Sequence, residues 1–244
     1  MLELNRLYHM CCHEGMAQIP DKFFGLAITD PPYGRREHGG KNRSGLATQK
    51  NGSKLYVKAP MYEKKSWDTE PPNREYFDEL FRVSRNQIIW GANYYPDNYG
   101  PGRIVWDKCN DGSDQSSCEI AYCSLMSRVD MFRFMWRGML QGKSVSEGHI
   151  QQGDKRLNER RIHPAQKPVA LYAWLLQTYA KPGDKILDTH VGSGSSLIAC
   201  YDAGHDYMGF EIDADYFTKA TERIERHKAQ QRLFEPGQVV MENA

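Results

Sequence analysis

A chain of 244 residues, 40% hydrophobic and 11% aromatic, holds enough apolar side chains for one large buried core and reads as a single domain over residues 1–244. No apolar run approaches the about eighteen residues that a bilayer demands, and the N-terminal MLELNRLYHM lacks the basic-then-apolar order of a secretory signal, so a cytoplasmic protein without a membrane span is expected. The six cysteines (Cys11, Cys12, Cys109, Cys118, Cys123 and Cys200) form no CxxC pair and have no histidine partner at zinc-finger spacing, which argues for reduced thiols and against a metal or disulfide framework.

The formal net charge is only +1, yet the charges are segregated. Residues 34–66 carry nine Lys or Arg, among them Arg35, Arg36, Lys41 and Arg43, against Glu37 and Glu63. Residues 128–161 carry eight against four acids, whereas residues 200–244 carry five against nine. Two basic segments in a nearly neutral protein suit a nucleic-acid partner, although a basic run alone is as often a solvated face.

Phe23–Thr29 is an apolar run of strand length that stops at Asp30-Pro31-Pro32-Tyr33-Gly34, where two prolines forbid a continued ladder. From Gly34 to Ser66 the chain is rich in Gly, Asn, Ser and Lys without periodicity, which predicts a mobile basic insertion loop over 34–66. Asn73–Val83 then places Tyr76, Phe77, Leu80 and Phe81 on one helical face, and Gln87–Trp90, Arg103–Asp107 and Glu119–Leu125 read as strands. Residues 128–162 form a second irregular basic segment, with Phe132, Phe134, Met135 and Trp136 as its compact apolar cluster. Pro168, at the first helical position, opens a buried helix through Ala180. Strand Lys185–Asp188, glycine loop His190–Ser195, helix Ser196–Ala203 closed by Gly204, and strand Tyr207–Ile212 make a βαβ unit, and a last helix runs from Asp215 to about Arg232. The expected fold is α/β, a doubly wound and mostly parallel sheet.

Two constellations carry chemistry. The first is Asp188-Thr189-His190-Val191-Gly192-Ser193-Gly194, with Glu211 at the end of the next strand. Glycines after a parallel strand let backbone approach a nucleotide-like ligand, and a carboxylate on the following strand is placed to accept from ribose hydroxyls. Leu197 stands where a dinucleotide fingerprint needs Gly or Ala, which disfavours a pyrophosphate, while Asp188 suits the sulfonium and ammonium of S-adenosylmethionine. The second is Thr29-Asp30-Pro31-Pro32-Tyr33-Gly34. An aromatic amine is a weak nucleophile because its lone pair is delocalised. The Asp30 carboxylate and the Pro31 carbonyl can accept its two N–H hydrogens and favour a tetrahedral nitrogen. The prolines hold that carbonyl rigid, and Tyr33 can stack on a base taken out of its helix. Either constellation alone is readily a plain turn; together they point to methyl transfer onto an amine.

These residues resemble the amino-methylating (N6-adenine and N4-cytosine) DNA methyltransferases, in the circularly permuted class where the DPPY motif precedes the glycine loop. Trp67-Asp68, Phe81-Arg82-Val83 and Ile104-Val105-Trp106-Asp107-Lys108 resemble later family segments, and His163-Pro164-Ala165-Gln166-Lys167-Pro168 resembles the HPTQKP-type cofactor motif. The resemblance implies a Rossmann-like methyltransferase fold with Asp30, Pro31, Pro32 and Tyr33 as catalytic residues. It implies cofactor contacts from His163, Gln166, Lys167, Asp188, Thr189, Gly192, Ser193, Gly194, Glu211 and Asp213. S-adenosylmethionine is then the methyl donor, S-adenosylhomocysteine the product, with no metal, and DNA the partner. Expected DNA contacts are Arg35, Arg36, Lys41 and Arg43 of the insertion, with Trp67 packed at its base, and Trp136 and Arg137 of a target-recognition segment at 128–162. An Asp at the head of the tetrad resembles adenine-N6 enzymes more than cytosine-N4 enzymes, which commonly carry Ser there. A homodimer, a companion restriction endonuclease, and a bacterial or phage host are all left open.

Three departures stand out. Met10-Cys11-Cys12 occupies the place of a family Gly-Asp-Cys, so an acidic contact to the cofactor's adenine is missing at Cys11. His190 replaces an apolar loop residue and reads as a packed or hydrogen-bonded side chain. The recognition segment is short, so it contacts few base edges. A non-catalytic DNA-binding relative suits the first departure, and the intact tetrad argues for turnover. RNA and protein-glutamine methyltransferases usually begin the tetrad with Asn and carry the glycine motif ahead of it.

Overall fold

The computed structural model describes residues 2–35, 44–48, 52–57, 62–65, 67–95, 99–111 and 116–231. In chain order its elements are β1 (Arg6–His9), α1 (Cys12–Met16), β2 (Phe24–Thr29), β3 (Gly45–Thr48), β4 (Lys54–Val57), α2 (Arg74–Val83), β5 (Ser84–Trp90), β6 (Arg103–Asp107), β7 (Cys118–Cys123), β8 (Val129–Arg133), β9 (Trp136–Arg137), β10 (Leu140–Gln141), α3 (Val169–Tyr179), β11 (Ile186–Asp188), α4 (Ser195–Asp202), β12 (Tyr207–Glu211) and α5 (Ala214–Gln231).

Eight strands form one sheet in the order β1-β12-β11-β2-β5-β7-β6-β8. The pairs from β1 to β5 are parallel, β7 is antiparallel to both neighbours, and β8 returns parallel to β6. Every residue of β2 is buried, as a strand covered on both faces requires. Side-chain alternation then feeds two cores. Leu26, Ile28, Ile88, Trp90 and Ile186 pack on one face with Leu171, Leu175, Leu197 and Ile198 of α3 and α4. Ala27, Ile89, Leu187, Met208 and Phe210 pack on the other with Met16 of α1 and Tyr76, Phe77 and Leu80 of α2. Each large side chain so buried contributes roughly 1.5–3 kcal/mol relative to exposure.

Local signals set the helix ends. The Asn73 side chain accepts the Tyr76 N–H and caps α2. Pro168 is extended and precedes α3 rather than occupying its first turn. Gly194, in the left-handed region at φ +80°, turns the chain from the glycine loop into α4.

Three sequence expectations change. The stretch 34–66 is not wholly irregular: β3 and β4 pair as an antiparallel hairpin within it. The 128–162 segment begins with β8, a strand of the central sheet, and continues through the small β9–β10 ribbon. The short β1 and α1, which the sequence reading does not pick out, complete the edge beside β12. No helix among the described residues is long and apolar enough to cross a membrane.

Candidate active site

β2 and β11 are adjacent and parallel, with Leu26 opposite Ile186 and Ala27 opposite Leu187. The tetrad and the glycine loop therefore leave the sheet side by side at its carboxyl edge, where open α/β sheets bind their ligands. A hydroxyl lattice ties the two exits together. Thr189 Oγ1 lies 2.6 Å from Thr29 Oγ1 and 2.6 Å from the Tyr76 hydroxyl, all three buried, and 3.0 Å from His190 Nδ1. Thr189 thus fixes the site from beneath and does not line the cavity above it.

That cavity, of about 1230 Å³, is lined by Asp30–Tyr33, by His163–Lys167, by His190–Ser193 and by Glu211, with Trp67, Tyr94, Lys108, Glu119 and Tyr216 around them. The volume exceeds the usual range for one small ligand and suits two. One end carries the glycine loop. Glu211 accepts the Gly192 N–H at 2.8 Å and the Asp213 N–H at 2.8 Å, which leaves two of its four lone-pair positions free for hydroxyls. Burial raises the Glu211 carboxyl above its ordinary range. His163 rests between the rings of Trp67 (5.0 Å) and Tyr216 (4.3 Å), and its burial drives its pKa down to about 3, so it is neutral. These aromatic rings and the carboxylate suit a nucleoside.

The other end carries the tetrad. The Asp68 carboxylate, buried, accepts the N–H groups of Tyr33 (2.7 Å) and Gly34 (2.9 Å) and so clamps the turn. The Pro31 carbonyl accepts from the Tyr95 hydroxyl at 3.0 Å. Tyr33 donates to Asp30 Oδ1 at 2.5 Å and stacks on Tyr94 with ring centroids 4.8 Å apart. Behind it, Gly91 has φ +79°, and a Cβ there would lie 2.2 Å from Tyr33 Cε1. Tyr33 is therefore already packed between neighbours, and stacking of a base on it would require Tyr94 to move.

Lys167, expected among the cofactor contacts, instead reaches the tetrad. Its ammonium pairs with Asp30 Oδ2, with Glu119 Oε2 at 2.9 Å and with the Tyr33 hydroxyl at 3.1 Å. Burial opposes the charge on Lys167, but the two carboxylates outweigh it and raise its pKa. Burial raises the Asp30 pKa, and Lys167 pulls against that rise. Glu119, held on its other oxygen by Lys108 at 2.5 Å, is kept at about 2 by the two ammonium groups despite its burial.

Other expected cofactor residues act within the protein. Asp188 is buried, accepts from the Ser196 hydroxyl and from the His190 N–H at 3.0 Å, and faces the root of α4 rather than the cavity. Gln166 closes its own loop by accepting the Ile162 N–H at 2.9 Å. Asp213 caps the first turn of α5 through the N–H groups of Asp215 and Tyr216 and lies 3.3 Å from Lys65. Ser193 bonds Ser195, and Gly194 is the α4 turn.

Of the expected DNA contacts, Arg35 is exposed at the cavity mouth and donates to the Tyr94 hydroxyl at 2.9 Å. Arg36, Lys41 and Arg43 lie outside the described residues. Trp136 is corrected: it is 5% exposed, its indole N–H bonds the Gln166 carbonyl at 2.8 Å, and Arg161 covers its ring at 4.2 Å, so it supports the His163–Lys167 loop from the core. Arg137 beside it is exposed. Cys11 precedes α1 and is not among the cavity-lining residues. His190 lines the cavity and is neutral, since burial lowers its pKa to about 3; its packed, hydrogen-bonded reading holds.

The sheet with one reversed strand, and a ligand cavity at its carboxyl edge, define an α/β protein of the doubly wound type. The same fold recurs in the M1.HpyAVI complex with SAM (TM-score 0.52, 15% identity, covering 89% of this chain and 98% of that one) and in PvuII DNA methyltransferase, cytosine-N4-specific (TM-score 0.53, 10% identity, 94% and 93%). The N6/N4 family described as DNA methylase matches residues 48–222. Type II methyltransferase M.HpaI of Haemophilus parainfluenzae is 36% identical over 231 residues, which cover 87% of this chain and 71% of that protein. M.HinfI of Haemophilus influenzae is 23% identical over 261 residues, covering 92% and 69%. The chain belongs to the N6/N4 DNA methylase family of amino-methyltransferases.

Proposed function

We propose that this chain methylates the N6 amine of an adenine flipped out of duplex DNA, using S-adenosylmethionine. The observation that carries the reading is one cavity lined both by Asp30–Tyr33 and by Gly192, Ser193 and Glu211, with room for a cofactor and a base. The donor set fits the cofactor: Glu211 has lone pairs to spare for ribose hydroxyls, and Trp67, His163 and Tyr216 offer a wall for a purine. When bound, the cofactor supplies an electrophilic methyl group and leaves as the neutral thioether S-adenosylhomocysteine.

The chain's own residues do the rest. Asp30 and the Pro31 carbonyl accept the two amine hydrogens, which localises the nitrogen lone pair towards the methyl group. Asp30, as the carboxylate that accepts from the amine, would take up the proton that the nitrogen loses on methylation. Asp68 and Tyr95 hold the tetrad rigid while this happens. A paired amine is buried in the duplex, so the base must leave the stack.

The carboxylate at Asp30 supports adenine as the target, following the family pattern of the tetrad. Arg35 and the basic stretch that follows the tetrad supply phosphate contacts, and Arg137 with the 128–162 segment supplies the reader. Nucleoside analysis of unmethylated plasmid DNA, treated with the protein and labelled S-adenosylmethionine, tests the assignment. N6-methyladenine is expected; N4-methylcytosine would keep the mechanism and overturn the base.

A further inference from the structure

We propose that Lys167 and Glu119 form a latch on the acceptor position. The Lys167 ammonium holds the Asp30 oxygen that the target amine must reach, and Glu119 takes over that ammonium when the base enters. The inference rests on the reading of Asp30 as the amine's acceptor.

Both oxygens of Asp30 are engaged: Oδ1 by the Tyr33 hydroxyl at 2.5 Å and Oδ2 by Lys167. Lys167 is only 3% exposed, under the rings of Tyr33 and Trp90 at 5.5 Å each, so its ammonium is largely desolvated. A buried ammonium stripped of its partner carries a heavy desolvation penalty. An entering amine that simply displaced it would therefore be rejected. Glu119 removes the obstacle, because its Oε2 already lies 2.9 Å from the same nitrogen. Lys167 can swing from a shared to an undivided pairing without losing a carboxylate.

Lys108 is the other half of the device. It holds Glu119 Oε1 at 2.5 Å, which anchors the receiving carboxylate and keeps it ionised. The four charged groups sum to zero with Lys167 on either carboxylate, and a neutral amine adds no charge, so admission needs no change of protonation. Glu119 lies on β7 opposite Trp106 of β6, and Lys108 directly follows β6, at the far side of the cavity. Glu119 is thus a positioning residue that acts on Asp30 through Lys167.

The test is steady-state methylation of unmethylated DNA by Glu119→Gln, Glu119→Asp and the double variant Glu119→Gln with Lys167→Met. Glu119→Gln is expected to lower kcat at least tenfold with KM for S-adenosylmethionine unchanged, and Glu119→Asp to recover part of the loss. The double variant has no ammonium to hold Asp30 and is expected to exceed Glu119→Gln at least fivefold. A wild-type rate in Glu119→Gln, or a double variant no faster than Glu119→Gln, overturns the latch. If Glu119→Gln fails to fold, judged by loss of thermal stabilisation by S-adenosylhomocysteine, the double variant is compared with wild type. A rate within tenfold of wild type then supports the latch, and inactivity of the folded double variant overturns it. Failure of the underlying reading has a different signature, an active Asp30→Ala.

Discussion

The hydroxyls of Thr29 and Thr189 lie 2.6 Å apart, joining the last residue of the strand that delivers the tetrad to the first residue of the glycine loop. Both side chains are buried, and Tyr76 from α2 closes the group. This contact couples two exits that are far apart in sequence. Thr189→Val keeps the shape but leaves the Thr29 and Tyr76 hydroxyls only each other, 3.2 Å apart, and loses hydrogen bonds worth about 0.5–1.5 kcal/mol each. Thermal unfolding should show a Tm lowered by roughly 2–4 °C for each kcal/mol. A Tm equal to wild type would mean that the hydroxyls do not depend on one another.

Gly91 makes room for Tyr33. At φ +79°, with a Cβ 2.2 Å from the Tyr33 ring, Gly91→Ala strains the backbone and pushes the tyrosine towards the cavity. The variant should lose stability by about 1–3 kcal/mol and fall at least tenfold in kcat, while affinity for S-adenosylhomocysteine changes little. Calorimetric titration alongside the rate separates the two. An equal loss of cofactor binding would show that Tyr33 and the glycine loop are not independent.

Asp68 holds the tetrad by two backbone N–H groups, and Asp68→Ala leaves both unpartnered next to the chemistry. A drop in kcat of about tenfold to a thousandfold is expected from misplacement of the acceptor pair. Asp68→Asn, which retains one acceptor oxygen, should sit between. Equal activity of all three proteins would remove Asp68 from the account.

Burial lifts the Asp188 carboxyl to about 7, against bonds from Ser196 and the His190 N–H that pull it down. Its folded pKa is above its unfolded one, so its favourable contribution is complete in acid and is lost as pH rises from about 4 towards 7. Asp188→Asn does not titrate. Relative to wild type, its unfolding free energy should improve by about 1.4 kcal/mol per pH unit across that window, measured with denaturant at several pH values. A difference independent of pH would contradict a buried carboxyl.

Much of this was legible in the sequence. The strands β2, β5, β6, β11 and β12 and helices α2 to α5 carry apolar runs or stripes that burial on the sheet demands, and the reading of them agrees with the structure within a residue or two at most ends. β1 and β8 were missed because edge strands need little apolar content: Arg6–His9 exposes both ends, and Val129–Arg133 buries only Phe132 fully. The β3–β4 hairpin hides in a polar stretch for the same reason. At the site, motif spacing brought the right segments together but could not give side-chain direction. Asp188 and Thr189 point below the cavity, Lys167 points across it, and Trp136 points into the core. Glu119 and Tyr95 carried no signal of their own, and Asp68 stood out only within the Trp67-Asp68 segment; the fold gathers all three around the tetrad.

Arg35 reports on the DNA surface. It is exposed, lies over the Tyr94 ring at 5.4 Å and follows the tetrad after Gly34. If it contacts a phosphate, Arg35→Ala should reduce the slope of log K against log salt by about one, without changing which sequences are methylated. An unchanged slope would assign Arg35 to holding Tyr94 only.

The proposed role of Asp30, beside the glycine loop, as the acceptor for the target amine is open to direct measurement. Asp30→Ala measured in single turnover on unmethylated DNA, with S-adenosylhomocysteine affinity determined in parallel, tests it most directly. Methylation is expected to fall by at least a thousandfold, roughly 4 kcal/mol of barrier, while cofactor affinity stays within a few-fold of wild type. Methylation at an undiminished rate would contradict it.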